Sequence, residues 1–165
     1  MNDAYAEWIV KRKQPAYTYV VIPVMIILCI VSAFLALTSN VFFMIIAALV
    51  FFGTYLVFRN LKVEYEYIYV TGQISFDKIL GRSKRKRVIL CETENILVIA
   101  PVDTYLVKDQ VNANTKVLDL TSKMPDAKIY ALIHQSGSER VKILFEPNDK
   151  VLECLKQAAP RKVTI

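Results

Sequence analysis

A dense group of basic side chains is the strongest chemical feature of the sequence. Its members are Arg82, Lys84, Arg85, Lys86 and Arg87. Guanidinium and ammonium groups bind phosphate and carboxylate oxygens, and a basic residue near an anionic membrane contributes about 1 kcal/mol to binding. The group therefore predicts contact with anionic phospholipid headgroups or with a protein partner, and the alternative is a solvated basic hairpin.

The spacing of this group limits what it can bind. In a β-strand, Arg85 and Arg87 would lie on one face and Lys84 and Lys86 on the other, so all five converge only if the segment is a loop. No aromatic residue is interleaved with the basic ones. Nucleic acid is therefore not predicted as a partner.

The remaining reactive side chains form no motif. Cys29, Cys91 and Cys154 are scattered, and the single histidine, His134, cannot complete a zinc set. The acidic residues stand singly rather than as a pair for acid–base work. The sequence predicts no catalytic residue, no metal and no cofactor. A dyad of His134 with Cys91 or Cys154 is the enzymatic alternative.

The composition separates two parts of the chain. The 165 residues are 55% hydrophobic and 22% charged, which excludes a disordered chain. Four glycines and three cysteines exclude a collagen-like chain and a disulfide scaffold. The apolar residues concentrate in the first third, and the net charge is +6.

Two uncharged stretches, residues 16–37 and 41–58, are long enough to cross a bilayer. They predict a two-helix transmembrane hairpin over residues 16–58, joined by a tight polar turn at residues 38–40. The alternative for the first stretch is a signal peptide, but its apolar part is longer than the usual 7–15 residues. Neither stretch contains an ionisable residue, which favours an anchor over a transporter.

Basic residues at the ends of the hairpin predict its orientation. Lys11, Arg12 and Lys13 precede the first span, Arg59 and Lys62 follow the second, and the turn has no basic residue. Positive charge accumulates on the cytoplasmic side. We therefore expect a multi-pass protein of the bacterial cytoplasmic membrane with both termini in the cytoplasm.

Residues 1–15 are predicted to be an N-terminal interfacial segment. Tyr5, Trp8, Ile9 and Arg12 follow helical spacing, with Asn2 or Asp3 as N-cap, which favours a short interfacial helix. The alternative is a frayed terminus carrying aromatic residues of the membrane interface. The predicted interfacial anchors are Trp8, Lys11, Arg12, Lys13, Tyr17, Arg59 and Lys62.

Residues 59–165 show the alternation of a β-rich domain. Strands are predicted near residues 63–69, 74–76, 87–91, 96–100, 105–107, 116–120, 128–134 and 141–145, with turns at residues 71–72 and 135–138. Asn148 caps a final amphipathic helix that Pro160 ends. Tyr65, Tyr67 and Tyr69 share one strand face, either as core or as a binding platform. The fold class is a membrane α-helical hairpin plus a β-rich α+β domain, a small barrel or sandwich of about seven strands with a C-terminal capping helix.

Several segments resemble a family of bacterial membrane proteins. They are VEYEY at residues 63–67, TG at 71–72, DKI at 77–79, GRSKRKR at 81–87, EP at 146–147 and APRKV at 159–163. The chain resembles an uncharacterised family from clostridia-type Firmicutes with two N-terminal transmembrane helices and a bacterial PH-like domain. The resemblance covers nearly the whole chain. It implies a PH-like fold of seven strands plus a C-terminal helix and implies no catalytic residue.

Together these features predict a non-enzymatic, membrane-anchored PH-like adaptor. Its cytoplasmic domain would lie at the inner leaflet, with the basic hairpin contacting lipid headgroups or a protein partner. The alternative is an accessory subunit of a membrane complex that uses the hairpin as its interaction surface.

Overall fold

The structure is a computed structural model that describes residues 5–38, 40–81, 84–112 and 114–165. The elements, in chain order, are β1 (Tyr5–Lys11), α1 (Thr18–Thr38), α2 (Val41–Leu61), β2 (Val63–Val70), β3 (Gln73–Leu80), β4 (Lys84–Glu92), β5 (Ile96–Pro101), α3 (Tyr105–Asp109), β6 (Lys116–Asp119), β7 (Tyr130–Ser136), β8 (Glu139–Phe145) and α4 (Asp149–Ala158).

Contacts divide the chain into two compact units. The β-rich unit contains the described parts of Met1–Lys13, Glu64–Ile79 and Arg85–Ile165, and the helical unit those of Gln14–Val63 and Leu80–Lys84. The apolar side chains of α1 and α2 are mostly exposed. The residues buried on these helices include Ser32, Ala47 and Thr54, and Cys29 Sγ lies 3.3 Å from Thr54 Oγ1. Small and weakly polar side chains thus form the contact between the helices, as is common in membrane bundles.

Two four-stranded sheets form the β-rich unit. The strand order is β1-β2-β3-β4 in sheet 1 and β5-β7-β8-β6 in sheet 2, with β6 parallel to β8. The sheets are not closed into a barrel. Tyr67 and Phe76 of sheet 1 pack edge-on against Phe145 of sheet 2, with centroid separations of 5.4–5.7 Å. This aromatic cluster is the centre of the core.

Tyr67 also joins the two sheets by hydrogen bonds. Its hydroxyl donates to the carbonyl of Leu120 at 2.7 Å and accepts from the amide of Glu146 at 3.4 Å. The Glu146 carboxylate accepts in turn from the amide and the hydroxyl of Ser122. Burial strongly raises the pKa of Tyr67, so the hydroxyl keeps its proton as a donor.

The predicted turns and the C-terminal helix are confirmed. Thr71 and Gly72 have φ of 38° and 82°, the pair of positive φ values that a tight hairpin needs. Gly137, also at positive φ, lies between β7 and β8. Asn148 caps α4 by accepting from the amide of Val151 at 2.9 Å.

Two local predictions are wrong. Residues 5–11 form strand β1, paired antiparallel with β2, and neither an interfacial helix nor a frayed terminus. The expected caps Asn2 and Asp3 lie outside the described residues. Residues 105–107 begin the short helix α3 instead of a strand, because Val107 packs onto the outer face of sheet 2 against Val98 and Ile133.

Candidate binding surface

The basic strand β4 divides its side chains between two faces. Arg85 donates from Nη2 to Glu66 Oε1 at 2.8 Å, and Arg87 Nε lies 3.8 Å from Asp77 Oδ1. Because successive strand residues alternate, Lys84 and Lys86 lie on the opposite face of the strand. We call the four paired residues, Glu66, Asp77, Arg85 and Arg87, the ion-pair face.

Both carboxylates of the ion-pair face are covered. The Glu66 side chain is 0% exposed and that of Asp77 7%, whereas the side chains of Arg85 and Arg87 are 56% and 64% exposed. Among the described residues, Glu66 Oε2 and Asp77 Oδ1 have no hydrogen-bond partner. A buried carboxylate needs a counter-ion. The two arginines supply it, so the formal charges of this face cancel.

A third acid, Glu7 on β1, adjoins the ion-pair face. Burial raises the pKa of Glu66, the Arg85 guanidinium opposes that shift, and the neighbouring Glu7 carboxyl adds to it. The hydroxyl of Tyr5 donates to Glu7 and lowers the pKa of Glu7. Glu66 therefore takes up a proton before Glu7 as the pH falls. Protonation of Glu66 leaves the ion-pair face with a net positive charge.

The predicted basic group is therefore not one site in the described structure. Arg85 and Arg87 are committed to ion pairs within the domain. No ion pair in the described residues involves Lys84 or Lys86, and both are exposed. Arg82 lies outside the described residues. The lysines are the side chains of β4 that the described structure leaves for an external anion.

The tyrosines of β2 belong to the core. Tyr65, Tyr67 and Tyr69 are buried, so the binding-platform interpretation is wrong. Arg12 donates from Nη1 to the hydroxyl of Tyr65 at 2.6 Å and lies 5.9 Å from the centre of its ring. Arg12, which was predicted as an interfacial anchor, thus packs against the edge of the core.

The other predicted anchors occupy several elements. Trp8 and Lys11 lie on β1, and the Lys13 amide donates to the carbonyl of Ser122 at 2.7 Å. Tyr17 is exposed just before α1, Arg59 lies in the last turn of α2, and the Lys62 carbonyl accepts from Gly81 at 2.9 Å. Their contact with headgroups stays a prediction.

Cys91 and His134 are both buried in the β-rich unit. Burial raises the pKa of Cys91 to about 12, which leaves it a protonated, unreactive thiol at neutral pH. Burial lowers the pKa of His134, while the Glu92 carboxylate opposes the shift. Within the described ranges, no three His, Cys, Asp or Glu side chains are grouped to hold a metal ion.

One further surface was not predicted from the sequence. Strand β1 is an edge of sheet 1, and Trp8 and Ile9 are each 41% exposed there. An open groove of about 540 Å³ follows it, lined also by Lys11, Met124 and Pro147. The sequence did contain a signal for a strand here, because the apolar residues 6, 8 and 10 alternate with mostly polar neighbours. The helical spacing of Tyr5, Trp8 and Arg12 favoured a helix instead.

The described chain thus combines a β-rich unit of two sheets and a C-terminal helix with two apolar helices. The chain matches the family described as "Bacterial PH-like domain (DUF6106)" over residues 2–165. It belongs to that family. No curated protein and no solved structure matched the chain.

Proposed function

We propose that the chain is an integral protein of the bacterial cytoplasmic membrane whose PH-like domain is a non-enzymatic binding module on the cytoplasmic face. Helices Thr18–Thr38 and Val41–Arg59 have mean hydropathies of 3.0 and 2.6, and only 6% and 11% of their most apolar windows are buried. A core helix of a soluble protein would bury these side chains. A bilayer is the environment that suits them.

The observation that carries the proposal is the pairing of β1 with β2. Strand β1 precedes the apolar helices and β2 follows them, and the two strands are paired from Tyr5↔Val70 to Lys11↔Glu64. Paired strands occupy one compartment. A membrane crossed by α1 must therefore be crossed back by α2, which supports a hairpin with both ends of the chain on one side.

The basic residues that flank the helices support the cytoplasm as that side. There, Lys84 and Lys86 contact the anionic headgroups of the inner leaflet, each contributing about 1 kcal/mol. The ion-pair face takes no part in this contact, because its arginines already neutralise Glu66 and Asp77. A protein partner is the competing occupant of the lysines.

Cysteine labelling tests the topology. Thr38→Cys lies at the turn between the helices, and Ile165→Cys at the exposed end of the chain. We expect a membrane-impermeant maleimide to label Thr38→Cys in cells whose inner membrane is intact, and Ile165→Cys only after that membrane is permeabilised. The unmodified chain controls for its three cysteines. Labelling of Ile165→Cys in intact cells would contradict the orientation, and equal labelling of both would contradict the anchor.

Amine modification tests the lipid contact. The full chain is placed in nanodiscs of neutral phosphatidylcholine or with a third of anionic phosphatidylglycerol, and the acetylation rates of its lysines are measured by mass spectrometry. We expect Lys84 and Lys86 to react more slowly only in anionic discs. Lys116, which is exposed on β6, is the internal control. Equal rates in both discs would leave a protein partner as the ligand of β4.

A further inference from the structure

We infer that the free edge of β1 pairs with the β1 of a second copy of this chain. The described structure pairs one side of β1 with β2 and places no strand on the other. An unpaired edge presents a row of backbone donors and acceptors that another strand can complete. This inference concerns the β-rich unit alone and does not depend on the proposed function.

The other edges of the two sheets are protected. Residues 162–164 cover β5, with Ile99 donating to the Lys162 carbonyl at 2.7 Å and Thr164 donating back to Ile99 at 2.9 Å. Strand β6 has only four residues. Strand β4 carries Lys84 and Lys86, and charged residues, especially lysines, discourage pairing at an edge. Short length, covering segments and like charges are the usual protections of edges.

Strand β1 lacks the short length of β6 and the run of like charges of β4, and in the described residues no strand pairs with its outer side. It has seven residues, no proline or glycine, and two charges of opposite sign, Glu7 and Lys11. Its exposed apolar side chains include Trp8 and Ile9. Another strand can therefore pair with this edge, and the positions of Glu7 and Lys11 determine which strand fits best.

The charges are complementary to those of a second β1. If two copies of β1 run antiparallel about a two-fold axis at Ile9, Glu7 of each copy lies opposite Lys11 of the other. Trp8 then lies opposite Val10, an aromatic and β-branched pair that stabilises sheets. Moving the axis to Trp8 would place Glu7 opposite Ile9 and lose both charge pairs.

The free length of the edge fits this register. The Lys13 amide is already bound to the Ser122 carbonyl, so the edge is available up to Lys11. The symmetric register uses residues 7–11 of each copy and stops short of Lys13. It joins two four-stranded sheets into one of eight strands, the self-complementary contact of a two-fold dimer.

Cross-linking tests the register in the full chain, purified in detergent. Residues directly opposite each other in an antiparallel pair have Cα atoms about 4.5–5.5 Å apart, within the range of a disulfide. We expect Ile9→Cys to form a disulfide-linked dimer on mild oxidation with copper phenanthroline. Tyr5→Cys, on the same strand and similarly exposed, lies far from its counterpart in this register and remains monomeric on a non-reducing gel. Equal cross-linking of both variants would overturn the register.

Charge exchange tests the pairing itself. Glu7→Lys and Lys11→Glu each place like charges opposite each other in a homodimer, whereas a mixture of the two variants restores complementary pairs. Light scattering should give the wild-type protein about twice the 18.9 kDa chain mass. Each variant alone should lose the dimer, and the mixture should regain it. A monomeric wild type would overturn the inference, as would single variants that remain dimeric.

Discussion

At the scale of single residues, the structure assigns different roles to the arginines and the lysines of the basic segment. Two of its arginines act as counter-ions for carboxylates that the fold has covered, and two of its lysines do not. The alternation of faces was predictable from strand geometry. The carboxylates that pair with Arg85 and Arg87 were not predictable, because Glu66 and Asp77 lie on two other strands. The sequence does not indicate how those strands pair with β4.

Replacing Arg85 should therefore cost stability, whereas replacing its neighbour should not. In Arg85→Gln the covered Glu66 carboxylate loses its counter-ion, and we expect unfolding free energy to fall by about 1–3 kcal/mol, less than for a fully buried pair because Arg85 is half exposed. Lys86→Gln should change it by less than about 0.5 kcal/mol. Denaturant unfolding followed by the fluorescence of Trp8, the single tryptophan, measures both. Equal effects of the two variants would contradict the structural role of Arg85.

His134 should make stability depend on pH. Burial lowers its pKa and its Nδ1 has no partner within the described residues, so the unfolded chain binds the proton first. Unfolding free energy should decrease as the pH falls from about 6.5, by at most about 1.4 kcal/mol per pH unit. Glu66, with its raised pKa, contributes in the opposite direction.

Comparison of the wild type with His134→Leu isolates the histidine, because Glu66 is present in both. The melting temperature of the wild type should fall more than that of the variant between about pH 7 and about pH 5.5. Parallel pH profiles would show that His134 is not buried as a neutral group.

At the scale of elements, regular alternation and turn chemistry predicted most of the fold. The β2–β3 turn, the β7–β8 turn and the capped helix α4 follow from Thr71-Gly72, Gly137 and Asn148. The errors fell on β1 and α3, which are short and whose form is decided by distant partners: β2 for the first and sheet 2 for the second. Local patterns of about five to seven residues do not contain that information.

Gly81 lies where the chain passes close to the end of α2. Its φ is +58°, and an added Cβ would lie 2.6 Å from Arg59 Cγ and 2.7 Å from the Arg59 carbonyl oxygen. Gly137 has φ of +60° but nothing within 4 Å. Alanine at either position must adopt the left-handed conformation, which lowers the free energy of unfolding by about 1–2 kcal/mol. Only Gly81→Ala also brings the new Cβ into a clash with the backbone of Arg59.

We therefore expect Gly81→Ala to lower the thermal midpoint of the detergent-purified chain clearly more than Gly137→Ala does, as followed by circular dichroism. Similar midpoints for the two variants would show that the Arg59 contact is absent or relaxes without cost.

At the scale of the whole molecule, a soluble fragment that begins after the helices is incomplete. Residues 62–165 lack β1, whose Ala6 and Val10 are buried in sheet 1. We expect a synthetic peptide of residues 1–13 to bind this fragment, and the binding should shift the fluorescence of Trp8 to the blue. The signal reports on the peptide alone, because Trp8 is the single tryptophan of the chain.

The matched control is the same peptide with Val10→Asp, which should bind at least about tenfold more weakly, since it would place a charge at a buried position. A fragment that is equally stable with and without the native peptide would contradict the placement of β1 in the sheet.

The position of β1 also sets an order of events during synthesis. The ribosome makes β1 first, then both apolar helices, and only then β2, its partner in the sheet. In the proposed topology, β1 stays unpaired until both helices have left the ribosome and the chain has returned to the same side of the membrane. In that topology, sheet 1 is completed only after both helices have been placed, so the folding of the β-rich unit depends on the insertion of the helices that the proposal places in the membrane.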